Sequence, residues 1–282
     1  MQVIRTPDEM HAACAQLRRG GKSIGLVPTM GALHEGHLSL VRIARAQSDV
    51  VAVSLFVNPL QFGPNEDFAS YPRTFERDRQ LLEAEHADLL FAPMPNDMYP
   101  PGGTTYVVVE GLSVKLCGRS RPTHFRGVTT VVAKLFHIVE PDLAVFGQKD
   151  AAQVAVIKRM VRDLNLGVRI VVAPIIREPD GLAMSSRNAY LDPQQRRAAT
   201  VLHRALTRIE SVAAEGERRC ETLISAGQQV VAQEPGVRLD YLEIVDPDTL
   251  EPLQDISQDA LVAIAAFVGS TRLIDNIVLR GA

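Results

Sequence analysis

The regular alternation of short β-branched runs with helical patterns between residues 22 and 172 constrains the fold of this 282-residue chain more than any other feature. The predicted strands are residues 24–27, 50–57, 88–92, 105–109, 143–146 and 168–172, and the predicted helices are residues 36–47, 75–85, 128–139 and 151–164. Strands and helices that alternate along a chain usually build a parallel sheet with helices on both faces. The sequence therefore predicts an α/β fold with a Rossmann-like, doubly wound parallel sheet.

The pattern changes after residue 174. Two helices are predicted at residues 193–214 and 218–232, and three strands at residues 239–245, 261–267 and 272–279. The residues between these strands include Asp246-Pro247-Asp248 and Gly269-Ser270, which favour the tight turns of an antiparallel sheet. We therefore expect two domains: a Rossmann-like domain formed by residues 1–175 and a smaller α+β domain formed by residues 176–282.

The charge balance and the cysteine spacing exclude several classes of protein. Thirty Lys and Arg residues against 33 Asp and Glu leave a net charge of −3, so the basic excess typical of nucleic-acid and membrane-surface binders is missing. The longest apolar runs are far shorter than the roughly 18 residues that a membrane-spanning helix needs, and the first residues contain no apolar signal segment. Cys14, Cys117 and Cys220 are too widely spaced for a zinc knuckle or a disulfide framework. We expect a cytoplasmic protein without nucleic-acid or membrane partners.

Two histidines lie between the first strand and the first helix of this α/β pattern, in the segment His34-Glu35-Gly36-His37. Their spacing puts both imidazoles on one face at a helix N-terminus, where unpaired N–H groups and a partial positive charge favour phosphate. Ligands of open α/β sheets also bind at this edge. The pattern favours nucleotide binding over a capped helix with solvated histidines. A zinc site is disfavoured, because the histidines of His-Glu-x-x-His are four residues apart and no third histidine or cysteine pair is nearby.

Three further segments carry polar residues where a predicted strand meets its following loop. Met184-Ser185-Ser186-Arg187 offers two hydroxyls and a guanidinium suited to phosphate oxygens, although an ordinary polar loop with a helix cap explains it equally well. Lys149 can place a charge on a phosphate, and a capped helix with a solvated lysine is the more common reading of its segment alone. Asn58 and Gln61 could recognise hydroxyl or carboxylate groups, or bond the loop backbone. The glycine-rich fingerprints of dinucleotide-binding and P-loop proteins are absent.

Six separated segments together resemble one family. These segments are residues 28–37, 56–62, 71–74, 124–127, 147–150 and 177–191. The paired histidines resemble the His-x-Gly-His signature of the nucleotidyltransferase superfamily, and Met184-Ser185-Ser186-Arg187 resembles its Lys-Met-Ser-Lys-Ser loop, with Arg187 in place of the second lysine. In this order the segments identify the chain as a member of the pantoate–β-alanine ligase family, over almost its whole length. Gln148 departs from the family, which commonly carries glutamate there.

The resemblance implies an ATP-dependent ligase that condenses pantoate with β-alanine to pantothenate through a pantoyl adenylate, releasing pyrophosphate and AMP. Its implied catalytic residues are His37 (the proton donor to the departing phosphate), His34, Lys149 and Arg187. The implied ATP-binding residues are Met30, Gly31, Ala32, Leu33, His34, Glu35, Gly36, His37, Gly147, Gln148, Lys149, Asp150, Ile176, Met184, Ser185, Ser186 and Arg187. Gln61 and Gln153 would bind pantoate, Gln61 would also contact β-alanine, and Asp78 would help to hold Mg²⁺. The family further implies a homodimer.

Two rival functions fit parts of the same pattern. A nucleotidyltransferase of this superfamily would act on a phosphorylated acceptor, but Gln61 and Gln153, without an added basic cluster, favour a less anionic one. A tRNA- or nucleotide-binding module without turnover is disfavoured, because the net charge is near neutral and no RNA-binding appendage is apparent.

Overall fold

The computed structural model describes residues 1–64 and 66–281, which form two compact units. The first unit contains Met1–Val114, Gly118–Gly147 and Val156–Ala173, and the second contains Lys115–Cys117, Gln148–Ala155 and Pro174–Ala282. The second unit thus includes two segments, Lys115–Cys117 and Gln148–Ala155, that the sequence assigns to the first domain. The predicted domain boundary after residue 175 stays a prediction, because compactness alone does not show which segments fold independently.

A six-stranded parallel sheet organises the first unit. Its strands are β1 (Gln2–Ile4), β2 (Ile24–Thr29), β3 (Val50–Leu55), β4 (Leu89–Phe91), β5 (Leu143–Gly147) and β6 (Arg169–Ala173). They lie in the order β1-β4-β3-β2-β5-β6, and every pairing is parallel. The chain therefore winds outward from β2 in both directions, which confirms the doubly wound sheet. The crevice at the carboxyl ends of β2 and β5 is the switch point where such sheets bind ligands.

The helices of this part of the chain follow the strands that they connect. They are α1 (Pro7–Arg19), α2 (Glu35–Arg45), α3 (Phe75–Ala84), α4 (Pro95–Met98), α5 (Cys117–Ser120), α6 (His124–Val139) and α7 (Ala151–Asp163). The buried face of α2, with Leu40, Val41 and Ala44, packs in one core with Val27 of β2 and Val53 of β3. This packing fixes the N-terminus of α2 at the carboxyl end of β2. In residues 1–64 and 66–281, no helix combines the length and apolar character needed to cross a membrane.

An antiparallel sheet covered by helices forms most of the second unit. Its elements are α8 (Pro193–Ala198), α9 (Val201–Ala214), α10 (Cys220–Ala232), β7 (Val237–Val245), β8 (Ala260–Val268) and β9 (Thr271–Leu279). The three strands lie in the order β7-β8-β9. Leu206 and Ile209 of α9 share a buried core with Ile264 of β8. The predicted α+β character is confirmed, but the single helix predicted at residues 193–214 is divided in two at Ala199–Thr200.

The predicted strand at residues 105–109 is wrong. Within the described chain this segment forms no strand, and side chains of α6 bond the backbone of Val107 at its centre. The Thr130 hydroxyl accepts the N–H of Val107 at 3.1 Å, and the Thr129 hydroxyl donates to the Val107 carbonyl at 2.6 Å. β1 and α1 were not predicted, although Thr6 and Pro7 form a typical helix start in which the Thr6 hydroxyl accepts the N–H of Glu9.

Candidate active site

A strained turn connects β2 to α2. Gly31 and Ala32 both have left-handed backbone angles, with φ of +84° and +50°, and that region costs a residue with a Cβ about 1–2 kcal/mol. Asp78, in the first turn of α3, accepts the N–H groups of Ala32 and Leu33, each at 2.9 Å. The Asp78 side chain is buried, with 1% of its surface exposed. Its carboxylate therefore holds the turn in a conformation that Ala32 does not favour by itself.

The two histidines of this turn cap α2 and lie side by side. Nδ1 of His34 accepts the N–H of Gly36 at 3.2 Å, and Nδ1 of His37 accepts the N–H of His34 at 3.4 Å. Their ring centroids are 4.1 Å apart. An Nδ1 that accepts a hydrogen bond carries no proton, so each neutral imidazole has its N–H on Nε2. The capping interaction thus selects the tautomer in which both rings present Nε2–H as a donor.

The side chain of Glu35 does not fit a phosphate ligand. Its carboxylate forms an ion pair with Arg42 of the same helix. The hydrogen bond from that guanidinium holds the pKa of Glu35 below its ordinary value, although burial opposes it. A negative charge at this position leaves only the backbone of Glu35 as a possible contact for ATP.

A buried asparagine organises the loop after β3. Asn58, with 1% of its surface exposed, caps the short 3₁₀ turn Pro59–Gln61 by accepting the N–H of Leu60. Its Nδ2 donates to Oε1 of Gln61 at 3.1 Å and to the Gly127 carbonyl at 3.0 Å, and its Oδ1 accepts the Tyr99 hydroxyl at 2.8 Å. Burial raises the pKa of Tyr99, so its hydroxyl stays protonated and donates. These bonds fix Asn58, which in turn orients the side chain of Gln61.

Three further hydrogen bonds hold Gln61 in place. Its Nε2 donates to Sδ of Met30 at 3.0 Å, so two predicted site residues from different loops are in contact. Its carbonyl accepts hydrogen bonds from Nδ1 of His124 at 2.9 Å and from Arg121 at 3.2 Å. A Cβ at Gly127 would lie 2.3 Å from the Leu60 carbonyl oxygen, so only glycine lets α6 approach this turn so closely.

The remaining predicted ATP and pantoate residues on α7 and its preceding turn belong largely to the second unit. Gly147 ends β5, and Gln148, Lys149 and Asp150 form a 3₁₀ turn that leads into α7. Lys149 is half-buried and Asp150 is exposed. Gln153 lies half-buried in the first turn of α7.

A short hairpin carries the segment Met184–Arg187. The N–H of Met184 donates to the Ile176 carbonyl at 3.0 Å, which closes the hairpin between these two predicted ATP residues. Gly181, at its tip, has φ of +92°, and a Cβ there would lie 2.1 Å from the His203 ring. The Ser185 hydroxyl accepts the N–H of Arg187 at 3.3 Å and so caps the 3₁₀ turn Ser186–Tyr190. The cap interpretation therefore holds for Ser185, while Ser186 and Arg187 lie half-buried beside it.

Several supporting residues of these loops were not predicted from the sequence. Tyr99 and Arg121 bond to the Asn58–Gln61 turn, and Asn276 of β9 bonds to the Gln148–Lys149 turn. Nothing local marks them, because each acts on a segment far away along the chain. The resemblance implies only a metal-binding role for Asp78, whereas both of its oxygens accept backbone N–H groups in the structure. The described residues contain no group of three or more His, Cys, Asp or Glu side chains placed to hold a metal ion.

Comparisons with known proteins agree with this architecture. The family model of pantoate-beta-alanine ligase matches residues 2–278. A pantothenate synthetase from Koribacter versatilis is 63% identical over 282 residues, covering 100% of this chain and 97% of that protein.

Solved structures give the same result. The crystal structure of pantothenate synthetase from Thermus thermophilus superposes with a TM-score of 0.94 at 48% identity, covering 98% of this chain and 99% of that one. The pantoate-beta-alanine ligase from Francisella tularensis complexed with beta-gamma ATP and beta-alanine gives a TM-score of 0.81 at 34% identity, covering 99% of this chain and 97% of that one. With its doubly wound sheet, its capping histidine pair and a family match over nearly every residue, the chain belongs to the pantoate–β-alanine ligase family.

Proposed function

We propose that this ligase works in two steps on the residues described above. A pantoate carboxylate oxygen attacks the α-phosphorus of ATP, and the bond from that phosphorus to the bridging oxygen breaks to give pantoyl adenylate and pyrophosphate. The amine of β-alanine then attacks the acyl carbon, loses a proton, and displaces AMP to give pantothenate. ATP use is supported by the Francisella tularensis relative, which was crystallised with beta-gamma ATP and beta-alanine.

The geometry of the histidine pair carries the proposal for the first step. Both rings have Nδ1 occupied by a backbone N–H, so both Nε2–H groups are donors held by the N-terminus of α2. Negative charge develops on the phosphoryl oxygens as the two anions approach, and preorganised donors stabilise such charge. His37 donates to the departing pyrophosphate and His34 to the neighbouring phosphate oxygens. Lys149 and Arg187 supply the positive charge that a phosphate chain requires.

The strained turn completes the proposed ATP site through the close approach of its main chain, because the N–H groups of Ala32 and Leu33 are already bonded to Asp78. Small residues and left-handed angles at Gly31 and Ala32 let the main chain approach a ligand closely. The proposed ATP-binding set is Met30, Gly31, Ala32, Leu33, His34, Glu35, Gly36, His37, Gly147, Gln148, Lys149, Asp150, Ile176, Met184, Ser185, Ser186 and Arg187. Within it, Glu35 acts through its main chain, because its carboxylate is paired with Arg42.

Pantoate recognition is assigned to two glutamines. Gln61 presents an amide whose position is fixed by Asn58 and Met30, which suits the hydroxyl and carboxylate groups of pantoate. A neutral amide also tolerates the later approach of β-alanine, and we assign Gln61 to both substrates. Gln153, half-buried at the start of α7, is the second pantoate residue.

Mg²⁺, when bound with ATP, would supply positive charge to the phosphate groups. Mg²⁺ binds substrate phosphates and keeps several waters, with only one or two protein carboxylates as ligands. Asp78 does not fit that role well, because its buried carboxylate already accepts two backbone N–H groups. Its assignment as a metal ligand stays a prediction, and no step passes through it.

The family resemblance supports a proposal for the quaternary structure and the location. We infer a cytoplasmic homodimer that takes pantoate, β-alanine and ATP, with no nucleic-acid or membrane partner. Sedimentation equilibrium of the purified protein measures the oligomeric state directly.

Replacement of His37 tests the proposed first step. We expect His37→Ala to slow adenylate formation by about 10²–10⁴-fold, the usual contribution of a positioned proton donor. His37→Gln, which retains an N–H donor, should recover part of the rate. The measurement is single-turnover pyrophosphate release with saturating ATP and pantoate.

The control is His11→Ala, which removes an exposed histidine of α1 and should leave the rate unchanged. A wild-type rate in His37→Ala would remove His37 from the mechanism.

A further inference from the structure

Two adjacent polar residues are buried in the middle of β9. Asp275 and Asn276 expose 2% and 3% of their surfaces, and they pair across the sheet with Ile264 and Ala263 of β8. Buried polar side chains cost free energy unless they are hydrogen-bonded, so their partners indicate what these residues do. Neither residue belongs to the proposed ATP or pantoate set.

Both the NH₂ group and the oxygen of the Asn276 amide form hydrogen bonds with the turn that carries Lys149. Its Nδ2 donates to the carbonyls of Gln148 and Lys149 at 2.9 and 3.0 Å, and its Oδ1 accepts Nε2 of Gln148 at 2.9 Å. The amide offers two donor hydrogens and one acceptor oxygen, and each has a partner in this turn. Asn276 therefore fixes the backbone from which the Lys149 side chain extends.

Asp275 makes an equivalent connection to the hairpin that carries Met184–Arg187. Its two oxygens accept both terminal nitrogens of Arg177, at 2.6 and 3.0 Å, in a bidentate ion pair. Arg177 also donates to the Gly181 carbonyl at 3.0 Å, at the tip of the hairpin. Because Arg177 and Ala183 bridge across the hairpin, Asp275 fixes the strand that leads into Met184.

The two connections meet at one point. Oδ1 of Asp275 accepts the N–H of Asn276 at 2.8 Å, so the anchors are joined as well as adjacent. From this we propose that the Asp275–Asn276 pair has a positioning role: it holds the Lys149 turn and the Met184–Arg187 hairpin in the positions that they need for binding ATP. The inference rests on the proposed ATP contacts of Lys149 and Met184–Arg187. It predicts a defect in ATP handling for residues that touch no substrate themselves.

Kinetics of β9 variants test this role. In Asn276→Ala we expect the KM for ATP to rise and pyrophosphate release to slow by about 10- to 100-fold, the scale of effect that a small misplacement of a catalytic group produces. The KM for pantoate should change by less than about twofold, because positioning loss is confined to the ATP contacts. Asn276→Ser, which keeps a hydroxyl able to donate to one carbonyl, should fall between wild type and Asn276→Ala, and it serves if the alanine variant does not fold.

A double mutant shows whether Asn276 acts through Lys149. If it does, Asn276→Ala should add little to the defect of Lys149→Ala, because residues that act as a unit are strongly non-additive. Equal factors in both backgrounds would overturn the inference. Asp275→Asn should also raise the KM for ATP while leaving that for pantoate unchanged, since it weakens the bidentate contact with Arg177.

The control variant is Leu273→Ala, which opens the hydrophobic core on the same strand without removing either anchor. Its melting temperature should fall while the KM for ATP stays near wild type, and a matching rise in KM would overturn the inference by showing that general loosening of β9 suffices. A defective Lys149→Ala beside a wild-type Asn276→Ala would overturn this inference alone. Wild-type ATP kinetics in Lys149→Ala would refute the lysine contact itself and, with it, the anchor.

Discussion

Replacement of Asp78 by asparagine tests whether the strained turn after β2 depends on one buried carboxylate. The wild-type carboxylate accepts the N–H groups of Ala32 and Leu33 at 2.9 Å each, and the backbone that it holds includes two left-handed residues in succession. Asparagine has the same size, but one of its two terminal groups is an NH₂ donor. One of the two backbone N–H groups must then face a donor in a buried site.

The expected loss follows from these contacts. Hydrogen bonds to a charged group contribute about 1.5–3 kcal/mol each, and an unsatisfied buried donor costs about 1–3 kcal/mol. Asp78→Asn keeps one bond in neutral form and abolishes the other, so we expect a destabilisation of about 2–4 kcal/mol. The strain at Ala32, about 1–2 kcal/mol, favours relaxation of the turn out of its left-handed conformation once the carboxylate has been replaced. A shift of about 1 Å in a catalytic loop can cost 10²-fold in rate.

The assay pairs thermal unfolding with single-turnover pyrophosphate release at saturating ATP and pantoate. Asp97→Asn is the matched control, because Asp97 is exposed and accepts a single backbone N–H, that of Met94, at 3.0 Å. We expect the control to lose about 1 kcal/mol or less and to react at the wild-type rate. An Asp78→Asn variant with reduced stability but a rate within twofold of wild type would refute the proposed dependence of the site on this turn.

Three further predictions concern the loop after β3. Gly127→Ala should destabilise the protein by about 1–3 kcal/mol and raise the KM for pantoate, since a Cβ there would collide with the turn that ends at Gln61; unchanged kinetics would contradict this. Gln61→Ala should raise the KM for pantoate far more than that for ATP, and equal effects would argue against its role. Burial would raise the pKa of Glu66, but the hydrogen bonds and charge of Arg121 outweigh it and hold this pKa below its ordinary value. The stabilisation is therefore present at neutral pH and lost as pH falls through the depressed pKa, so melting temperatures of wild type and Glu66→Gln should converge as pH falls below 4.5, the ordinary pKa of this carboxyl group.

The fold was largely predictable because its signals are local. Each strand of the parallel sheet after the first is a short apolar run, and each following helix has its own amphipathic period, so the alternation was visible without any contact information. The exceptions have physical causes. β1 has only three residues and begins with a glutamine, so it lacks the continuous apolar run that marks β4. Residues 105–109 have strand composition, but Val107 bonds to threonine hydroxyls of α6.

In the candidate site, too, the features with a local signal were predictable from the sequence and the non-local contacts were not. The spacing of His34 and His37 places both rings at one helix end, and the structure brings them to 4.1 Å. The contacts that hold the individual loops are non-local: Asp78 bonds to a backbone 46 positions earlier, and Asn276 to one 128 positions earlier. A single sequence contains no sign of such pairs, because an aspartate in a helical first turn and an asparagine in an apolar strand are each compatible with many partners.

In the proposed mechanism, pantoate is activated as an adenylate before β-alanine reacts. ATP–pyrophosphate exchange, measured with pantoate present and β-alanine absent, tests it most directly. Exchange should require pantoate, and AMP and pantothenate should appear together once β-alanine is added. If ATP binds but no pantoate-dependent exchange occurs without β-alanine, the adenylate pathway proposed for this ligase is contradicted.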